Sequence, residues 1–367
     1  MMLKIRNYKH GYHIASFAKS DKAFEDMKAR GYSAVCLTDA ELFFYPEFWS
    51  VKLDVEEAAA FSGVEEYSIL EFSDRGAYLY LDAGSADHTL FITNKCNSNC
   101  IMCPVSDPVR KNSEIETADT LLKIAGQIPC DTRHITITGG EPFMMKTDIF
   151  RLFDYLRRNL NQTEYLLLTN GRILADREYF TQFEASVPDK MLVGVPLHGY
   201  DAETHDRITR ARGSFEQTMK GLKNLLAAHI KVEIRIVVSR LNLDFMDQIA
   251  DFIARELKGV YTVKFMGLEM LGNARHNFSQ VWVDYKESFP YMKEAVKKLV
   301  LQGFDVGIYN YPLCCVEKGY WPICEKSITD YKIRYLPQCD SCTKKDACGG
   351  MFAGTFRLME GIVEAIK

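Results

Sequence analysis

Three cysteines lie within eight residues in the stretch Phe91-Ile-Thr-Asn-Lys-Cys96-Asn-Ser-Asn-Cys100-Ile-Met-Cys103-Pro104. An apolar run ends at Thr93-Asn94, and a polar loop then carries the thiols at x3 and x2 spacing. Soft thiolate sulfur holds iron well, and each thiolate of an iron–sulfur cluster binds one iron. A 4Fe–4S cube held by three cysteines keeps its fourth iron open. The stretch therefore predicts a cluster with a free corner for a ligand.

Two simpler interpretations of these cysteines are a zinc site and buried packing residues. A structural zinc ion needs a fourth protein ligand, and this loop has none. Packing residues are expected in apolar surroundings, whereas Asn97, Ser98 and Asn99 make the loop polar. The iron–sulfur interpretation explains both features.

The composition excludes several functional classes. A chain of 367 residues with 47% hydrophobic content can build one large unit with smaller attachments. Its net charge of −4 gives no indication of nucleic-acid binding. Residues 1–20 are polar and basic, unlike a signal peptide, and no run approaches the ~18 apolar residues of a transmembrane helix. We expect a cytoplasmic protein with no membrane partner.

The cysteine count supports metal clusters. Eleven cysteines in a chain without a leader favour clusters in a reducing compartment over disulfides. Cys36 and Cys130 stand apart from the others in apolar surroundings. We expect these two to be packing residues in the core.

Short apolar runs alternate with helical patterns from Leu90 to about Tyr309. The predicted strands are Leu90–Thr93, His134–Thr138, Glu164–Thr169, Met191–Leu197, Val232–Ser239 and Thr262–Gly267. The predicted helices are Ala118–Gln127, Asp148–Asn159, Arg177–Glu184, Phe215–His229, Phe245–Leu257 and Tyr285–Gln302. This alternation indicates βαβ units and a parallel sheet. Six units are too few for a closed eight-fold barrel, so the predicted fold class is α/β, an open partial (β/α)6 barrel.

The first 88 residues do not continue this alternation. They predict a helix at Asp21–Arg30, a strand at Ser33–Leu37, and a hairpin of Tyr67–Phe72 with Ala77–Leu81. This small α+β attachment is either a peptide-binding module or a cover for the open edge of the barrel. We predict three domains: residues 1–88, 89–309 and 310–367.

A second motif follows one βα unit after the cysteines. The strand His134–Thr138 ends in Gly139-Gly140-Glu141-Pro142. Glycines at the end of a strand let a ligand approach the backbone closely. In α/β barrels that edge carries the active site.

The cysteine triad and the Gly-Gly-Glu-Pro motif together resemble the radical S-adenosylmethionine (radical SAM) superfamily. The resemblance implies that the open iron binds the amino and carboxylate groups of SAM. Electron transfer then cleaves SAM to methionine and a 5′-deoxyadenosyl radical, which takes a hydrogen atom from substrate. It also implies that the backbone of Gly139, Gly140, Glu141 and Pro142 receives the SAM amino group. Met102 stands where the family usually has an aromatic residue near adenine, and an adaptable apolar side chain suits that position.

Further cofactor contacts are expected where the later strands end. Asn170 is suited to ribose hydroxyls, with an ordinary Asn-Gly turn as the alternative. Arg210 or Arg212 can pair with the SAM carboxylate, or belong to a solvated helix start. The remaining candidates are Ser239 and Asn242 after the fifth strand. His198 stands where Asp is common in peptide-modifying members, and this difference implies other substrate contacts at that position.

A second cysteine group lies near the C-terminus. Cys339, Cys342 and Cys348 have x2 and x5 spacing in a polar loop, which indicates a metal site. The segment resembles the SPASM and Twitch domains, and this implies an auxiliary 4Fe–4S cluster. For its fourth ligand we predict Cys314, with Cys324 as the alternative. A structural zinc site is the simpler interpretation of this group.

The stretch from Tyr311 to Phe352 resembles the maturases of His-Xaa-Ser peptide systems. It includes Ser327-Ile-Thr-Asp-Tyr-Lys332 and Tyr335-Leu-Pro-Gln-Cys339. The resemblance implies an enzyme that oxidatively modifies, and crosslinks, a ribosomally made precursor peptide. Its expected partners are that peptide, a low-potential electron donor such as flavodoxin or ferredoxin, and a second maturase. The alternatives are a radical SAM enzyme for a small molecule and a non-catalytic metal scaffold.

Overall fold

The computed structural model describes residues 2–85, 88–327 and 332–367. Of the Ser327–Lys332 stretch, residues 328–331 lie outside the described residues. Two large sheets organise the fold: a seven-stranded sheet near the N-terminus and an eight-stranded parallel sheet that follows it.

The eight-stranded sheet is the core of an open α/β barrel. Its strands are β8 (His88–Phe91), β9 (His134–Thr138), β10 (Glu164–Leu168), β11 (Met191–Pro196), β12 (Lys231–Val237), β13 (Thr262–Met266), β14 (Val306–Tyr309) and β15 (Cys324–Glu325). They lie side by side in chain order, with β8 and β15 as the two edges. The α/β fold class and the six predicted strands are confirmed. The sheet continues beyond them by β14 and by the two-residue β15, which pairs Cys324 with Ile308.

The main helices that cover this sheet begin and end close to their predicted positions. They are α4 (Ala118–Ala125), α5 (Ile149–Asn159), α6 (Arg177–Ser186), α8 (Ser214–Ala227), α9 (Met246–Glu256) and α12 (Tyr285–Leu301). Shorter helices are α3 (Asp107–Asn112), α7 (Ala202–Thr209), α10 (Gly272–His276) and α11 (Phe278–Val281). Capping explains several starts, because the side chains of Thr117, Asp176, Asp201 and Asp284 accept from backbone N–H groups of the first turn.

The N-terminal sheet contains β1 (Met2–Leu3), β2 (His13–Ala18), β3 (Ala34–Thr38), β4 (Glu41–Tyr45), β5 (Trp49–Lys52), β6 (Ile69–Ser73) and β7 (Gly76–Leu81). Its order is β1-β7-β6-β2-β3-β4-β5, with helices α1 (Asp21–Ala29) and α2 (Val55–Ser62). The predicted helix, strand and hairpin are α1, β3 and the β6–β7 pair. Sequence reasoning missed β1, β2, β4, β5 and α2.

A buried glutamine connects the two sheets. Gln127, just after α4, accepts a hydrogen bond from the Ser16 hydroxyl (3.0 Å) and donates to the Ile14 carbonyl (3.4 Å). Ile14, Ile69 and Leu81 of the N-terminal sheet share one apolar core with the barrel. The N-terminal sheet therefore packs directly on the barrel.

Beyond residue 309 the chain forms short 3-10 turns and a small antiparallel pair, β16 (Ile333–Arg334) with β17 (Met351–Phe352). Among the helices of the described ranges, none combines the length and apolar character needed to cross a membrane. The segment does not form an isolated unit, because β15 extends the barrel sheet.

We predict that Gln127→Leu lowers the free energy of unfolding by about 1–3 kcal/mol. The substitution leaves the buried Ser16 hydroxyl without its acceptor, and an unpaired buried polar group costs that much. Urea unfolding of the variant measures the change. Gln182→Leu on the exposed face of α6 is the matched control; equal stability of the two variants would show that the Gln127 contacts contribute nothing.

Candidate active site

The loop after β8 holds the three cysteines of the first motif, all half-buried. The backbone N–H of Ser98 donates to the sulfur of Cys96 (3.4 Å), and that of Val105 donates to the sulfur of Cys103 (3.4 Å). Hydrogen bonds of this kind to cysteine sulfur tune iron–sulfur clusters. Burial raises the pKa of Cys96 to about 11 and that of Cys100 to about 12. These thiols therefore hold their protons at neutral pH until a metal replaces them.

Two arginines fix the shape of this loop. Arg110 is buried and donates to the carbonyl of Ser98 (2.6 Å), the side-chain oxygen of Asn99 (2.8 Å) and the carbonyl of Val105 (3.2 Å). Arg172 donates to the carbonyl of Asn97 (2.6 Å) and to the Ser98 hydroxyl (3.0 Å). Charge-assisted bonds are among the strongest available to backbone carbonyls. Sequence reasoning missed both residues, because their acceptors are mostly backbone atoms that no motif records.

Helix α10 packs on the other side of the cysteine loop. Asn273 donates to the side chain of Asn99 (2.9 Å) and to the carbonyl of Cys100 (3.2 Å). The N–H of Ala274 donates to the carbonyl of Cys103 (3.2 Å). Gly272 has φ 51°, and a Cβ there would overlap the carbonyl of Pro104. The cysteine loop is therefore held by residues from distant parts of the chain, and this helix was also missed from sequence.

The Gly-Gly-Glu-Pro motif lies directly against the start of that loop. The N–H of Gly140 donates to the carbonyl of Thr93, and the N–H of Glu141 donates to that of Lys95 (2.8 Å). A Cβ on Gly139 or Gly140 would overlap backbone atoms of Thr93, Asn94 and Lys95. The two glycines are therefore required for this contact between backbone segments, whether or not a ligand also approaches them.

The side chain of Glu141 is occupied by protein partners. Its carboxylate accepts from the Thr169 hydroxyl (2.7 Å), the N–H of Asn170 (2.7 Å) and the N–H of Phe143 (3.1 Å). Burial raises its pKa, while these bonds oppose the rise. Pro142, also buried, opens the 3-10 segment Pro142–Asp148. Any cofactor contact of Glu141 is therefore left to its backbone.

Asn170 is brought to the cysteine loop. Its side-chain amide donates to the side-chain oxygen of Asn97 (2.6 Å) and lies 3.8 Å from the sulfur of Cys96. Its carbonyl accepts from Thr218 of α8 (3.0 Å). The predicted cofactor contact of this residue stays a prediction, and its position beside Cys96 supports it.

The other predicted contacts lie in different surroundings. Met102 is buried in an apolar cluster with Ile208 and Met270. Ser239 is fully buried, where its N–H and hydroxyl donate to the side-chain oxygen of Asn242 (2.9 and 3.2 Å). Asn242 in turn donates to the carbonyls of Val237 (3.0 Å) and His198 (3.3 Å). Ser239 and Asn242 thus brace the turn after β12.

The two candidate carboxylate ligands are on the surface. Arg210 is exposed and donates to the side-chain oxygen of Asn277 (3.0 Å), and Arg212 is exposed beside it. Nearby, His198 is buried with its ring 5.5 Å from that of His205. Burial, followed by the neighbouring His205, lowers the pKa of His198 to about 3. His198 is therefore a neutral imidazole at physiological pH.

The C-terminal cysteines line one small cavity of about 20 Å³. Its lining includes Cys314, Cys339, Cys342 and Cys348. The sulfur of Cys348 accepts from the N–H groups of Leu313 (3.5 Å) and Gly350 (3.4 Å), and that of Cys342 from Ile366 (3.4 Å). Cys324 instead donates its thiol to the carbonyl of Tyr320 (3.5 Å).

The donor sets are suited to clusters in which each sulfur binds its own iron. No three Cys, His, Asp or Glu side chains of the described residues converge on the position of one metal ion. The thiolates of a 4Fe–4S cube bind different irons and do not have to meet at one point.

One packing prediction was wrong. Cys36 is buried as expected, but Cys130 is exposed. It follows Pro129 at the end of the α4 segment, where the chain turns toward β9. The apolar residues Ile128 and Pro129 lie in this turn, and the burial of Ile128 does not extend to the side chain of Cys130.

A known protein family matches the central part of the chain. The model of the radical SAM superfamily matches residues 90–253. These residues are therefore a radical SAM domain, of the family that uses SAM and a 4Fe–4S cluster.

Three relatives illustrate the range of similar proteins. The sporulation killing factor maturation protein SkfB of Bacillus subtilis is 25% identical over 65% of this chain and 58% of its own length. The mycofactocin maturase MftC of Mycolicibacterium smegmatis is 30% identical over 45% of this chain and 40% of its own. The AdoMet-dependent heme synthase of Methanosarcina barkeri is 27% identical over 58% of each. The chain spans about half the length of these relatives.

One solved structure that can be superimposed on the chain is Streptococcus suis SuiB bound to the precursor peptide SuiA. It superimposes with a TM-score of 0.48 and 14% identity, over 73% of this chain and 69% of SuiB.

We predict that Arg110→Met reduces the iron and sulfide bound per chain. Without the guanidinium, the carbonyls of Ser98 and Val105 lose their donors and the cysteine loop no longer keeps one shape. Anaerobic reconstitution followed by iron and sulfide analysis measures the loss. Arg158→Met, at an exposed arginine of α5, is the control; equal iron content in both variants would contradict the role of Arg110.

Proposed function

We propose that the chain is a radical SAM enzyme that modifies a ribosomally made precursor peptide. The observation that carries the proposal is the convergence of the cysteine loop, Gly139–Pro142 and Asn170 at one edge of the barrel. A second cysteine cavity lies in the same chain. When bound at the open iron, SAM supplies a 5′-deoxyadenosyl radical that can take a hydrogen atom from substrate. The maturation protein and the maturase among the relatives support a peptide substrate.

In this proposal the residues of the chain position the cofactors. Cys96, Cys100 and Cys103 hold the cluster, while Arg110, Arg172 and Asn273 keep their loop in place. The backbone of Gly139–Pro142 and the amide of Asn170 face the same region and orient SAM. The protein contributes position and electrostatics, and the cofactors carry the chemistry.

The C-terminal cysteines serve a second 4Fe–4S cluster in this proposal. Cys314, Cys339, Cys342 and Cys348 are its ligands, since they share one cavity, whereas the thiol of Cys324 is engaged with Tyr320. Removing a hydrogen atom leaves a substrate radical. This radical must lose a second electron before it becomes an oxidised product such as a crosslink. A cluster held by these four cysteines would supply an acceptor for that second electron. A low-potential donor such as flavodoxin or ferredoxin supplies the electron that starts the reaction.

A small-molecule substrate is the second candidate. The heme synthase among the relatives favours it, because that enzyme matches a similar share of the chain. The core motifs are common to both functions. Mass analysis of a co-expressed precursor peptide separates them, since only the first function changes the mass of the peptide.

We predict that the anaerobically reconstituted chain cleaves SAM to 5′-deoxyadenosine with a strong reductant. Replacing Cys96, Cys100 and Cys103 by Ala removes the ligands of the open cluster, so the product should fall to background. Chromatographic quantification of 5′-deoxyadenosine measures this, with Cys36→Ala and Cys130→Ala as cysteine controls. Undiminished product from the triple variant would refute the radical SAM assignment of this loop.

We predict about eight iron and eight sulfide per chain, corresponding to two cubes. Cys314→Ser should lower both numbers toward about four or destabilise the second cluster, whereas Cys324→Ser should leave them unchanged. Elemental analysis and electron paramagnetic resonance measure the outcome. About four iron atoms with one zinc ion per chain would show that the C-terminal site is a structural zinc site. Loss of iron in Cys324→Ser but not in Cys314→Ser would show that Cys324, and not Cys314, is the fourth ligand.

A further inference from the structure

Some inward-facing side chains of the barrel are accessible to solvent. Outward-facing side chains of the strands, such as Val193, Ile236 and Phe265, are fully buried beneath the helices. Inward-facing side chains near the ends of the strands, such as Pro196 and Met266, are only half-buried. A closed (β/α)8 barrel fills this space with layers of side chains. Here the space inside the carboxyl ends of the strands is accessible.

One wall of this space is charged. On β12 the Nε of Arg235 lies 2.6 Å from Glu233, and Tyr309 of β14 donates to the other oxygen of Glu233 (3.3 Å). On β13 the ammonium of Lys264 lies 2.6 Å from Glu325 of β15. On β9–β11 the corresponding inward positions carry neutral residues: Thr138, Leu168, Gly194 and Pro196, of which Gly194 and Pro196 lie directly beside Glu233 and Arg235.

This charged wall is costly for stability. Glu233 and Lys264 are buried, and buried ion pairs commonly stabilise a fold less than apolar residues of similar size. A Cβ on Gly307 would overlap Glu325 and lie 2.7 Å from the Lys264 nitrogen. The wall thus has buried charged side chains and a glycine at positions where apolar side chains would stabilise the fold more. Such a departure is expected at a binding site.

Arg235 is the residue of this charged wall whose side chain is available to a ligand. Its side chain is 16% exposed, and its guanidinium carbon lies 5.7 Å from the centre of the Tyr309 ring. Glu233 forms a close ion pair with the Nε side, although the two atoms do not meet in hydrogen-bond geometry. Within the part of the chain that the structure describes, the terminal nitrogens of Arg235 have no hydrogen-bond partner. The two terminal nitrogens of a guanidinium can bind a carboxylate through two parallel hydrogen bonds, so the terminal nitrogens of Arg235 are suited to a carboxylate ligand.

We propose that Arg235 binds a carboxylate of the substrate inside the barrel and so selects peptides with an acidic side chain at the modified region. This inference rests on the proposed function and names a substrate class for it. The methionyl carboxylate of SAM has the same chemistry, so the experiment must separate the two sources.

The test measures binding to the reconstituted, SAM-loaded full chain by isothermal titration calorimetry. The probes are short neutral peptides of Ala, Ser and Gly in which a single Asp moves along the sequence, each paired with its Asn counterpart. The wild type should bind the best Asp peptide about tenfold more tightly than its Asn counterpart, as one charge-assisted pair provides. Arg235→Gln should reduce this ratio to about one.

Two further variants control for structure and charge. Arg235→Lys keeps the charge without the fork and should retain part of the preference. Arg255→Gln removes an arginine of α9 on the outside of the barrel, where it pairs with Glu256, and should keep the wild-type ratio. Thermal unfolding of each variant reports whether it folds.

Three results would overturn the inference: no Asp preference in the wild type, an unchanged ratio in folded Arg235→Gln, or loss of the ratio in Arg255→Gln. A tenfold loss of SAM affinity in Arg235→Gln with an unchanged peptide ratio would assign the carboxylate to SAM and also overturn it. Peptide-free SAM cleavage by the wild type is measured separately. Its absence would refute the proposed function without altering the peptide ratio.

Discussion

The contact between the end of β9 and the start of the cysteine loop is the constraint on which the active-site edge depends. Gly140 and Glu141 donate to the carbonyls of Thr93 and Lys95, and the backbone of Gly139 and Gly140 lies so close to this segment that neither residue could carry a Cβ. The Glu141 carboxylate then reaches the hydroxyl of Thr169 at the end of β10. Three strand ends are thereby joined through one four-residue motif. A buried carboxylate with three donors is stable only while all of them stay in place, so the geometry of this edge is cooperative.

The cysteine loop itself has no regular structure, and its shape is imposed from outside. Arg110 and Arg172 bind its carbonyls, and α10 covers it from the far end of the sheet. Backbone groups in a polar loop must be satisfied by some partner. Here the partners are charged or amide side chains, which form stronger bonds than water-exposed loop contacts would. This arrangement places three thiols reproducibly without a helix or strand through them.

The main strands, helices and cysteine motifs could be predicted from the sequence, and the physical reasons for this also explain which strands were missed. The six long strands carry apolar runs, the helices between them have apolar stripes and capping side chains, and the cysteine spacings are local. The strands β14 and β15 are short, and β15 consists of two residues, Cys324 and Glu325, whose pairing with Ile308 and Tyr309 leaves no periodic pattern. In the N-terminal sheet, β4 and β5 were missed although Phe44 and Trp49 pack tightly together. Their pairing is set by tertiary contacts.

The site residues divide in the same way. Cysteines and glycines carry their chemistry in residue type and spacing, so the triad and Gly139-Gly140 could be identified from the chain alone. Arg110, Arg172 and Asn273 look like ordinary surface residues until the fold brings them to the loop. Arg235 is the extreme case, since an arginine within an apolar strand reads as an outward-facing interruption. Only the register of β12 against β13, and of β13 against β14, places it on the inner face, with Lys264 and Tyr309 as neighbours. Motifs therefore locate the cofactor end of the barrel, whereas the wall that faces substrate is defined by strand register. Proteins that share the motifs can differ in substrate through that wall alone.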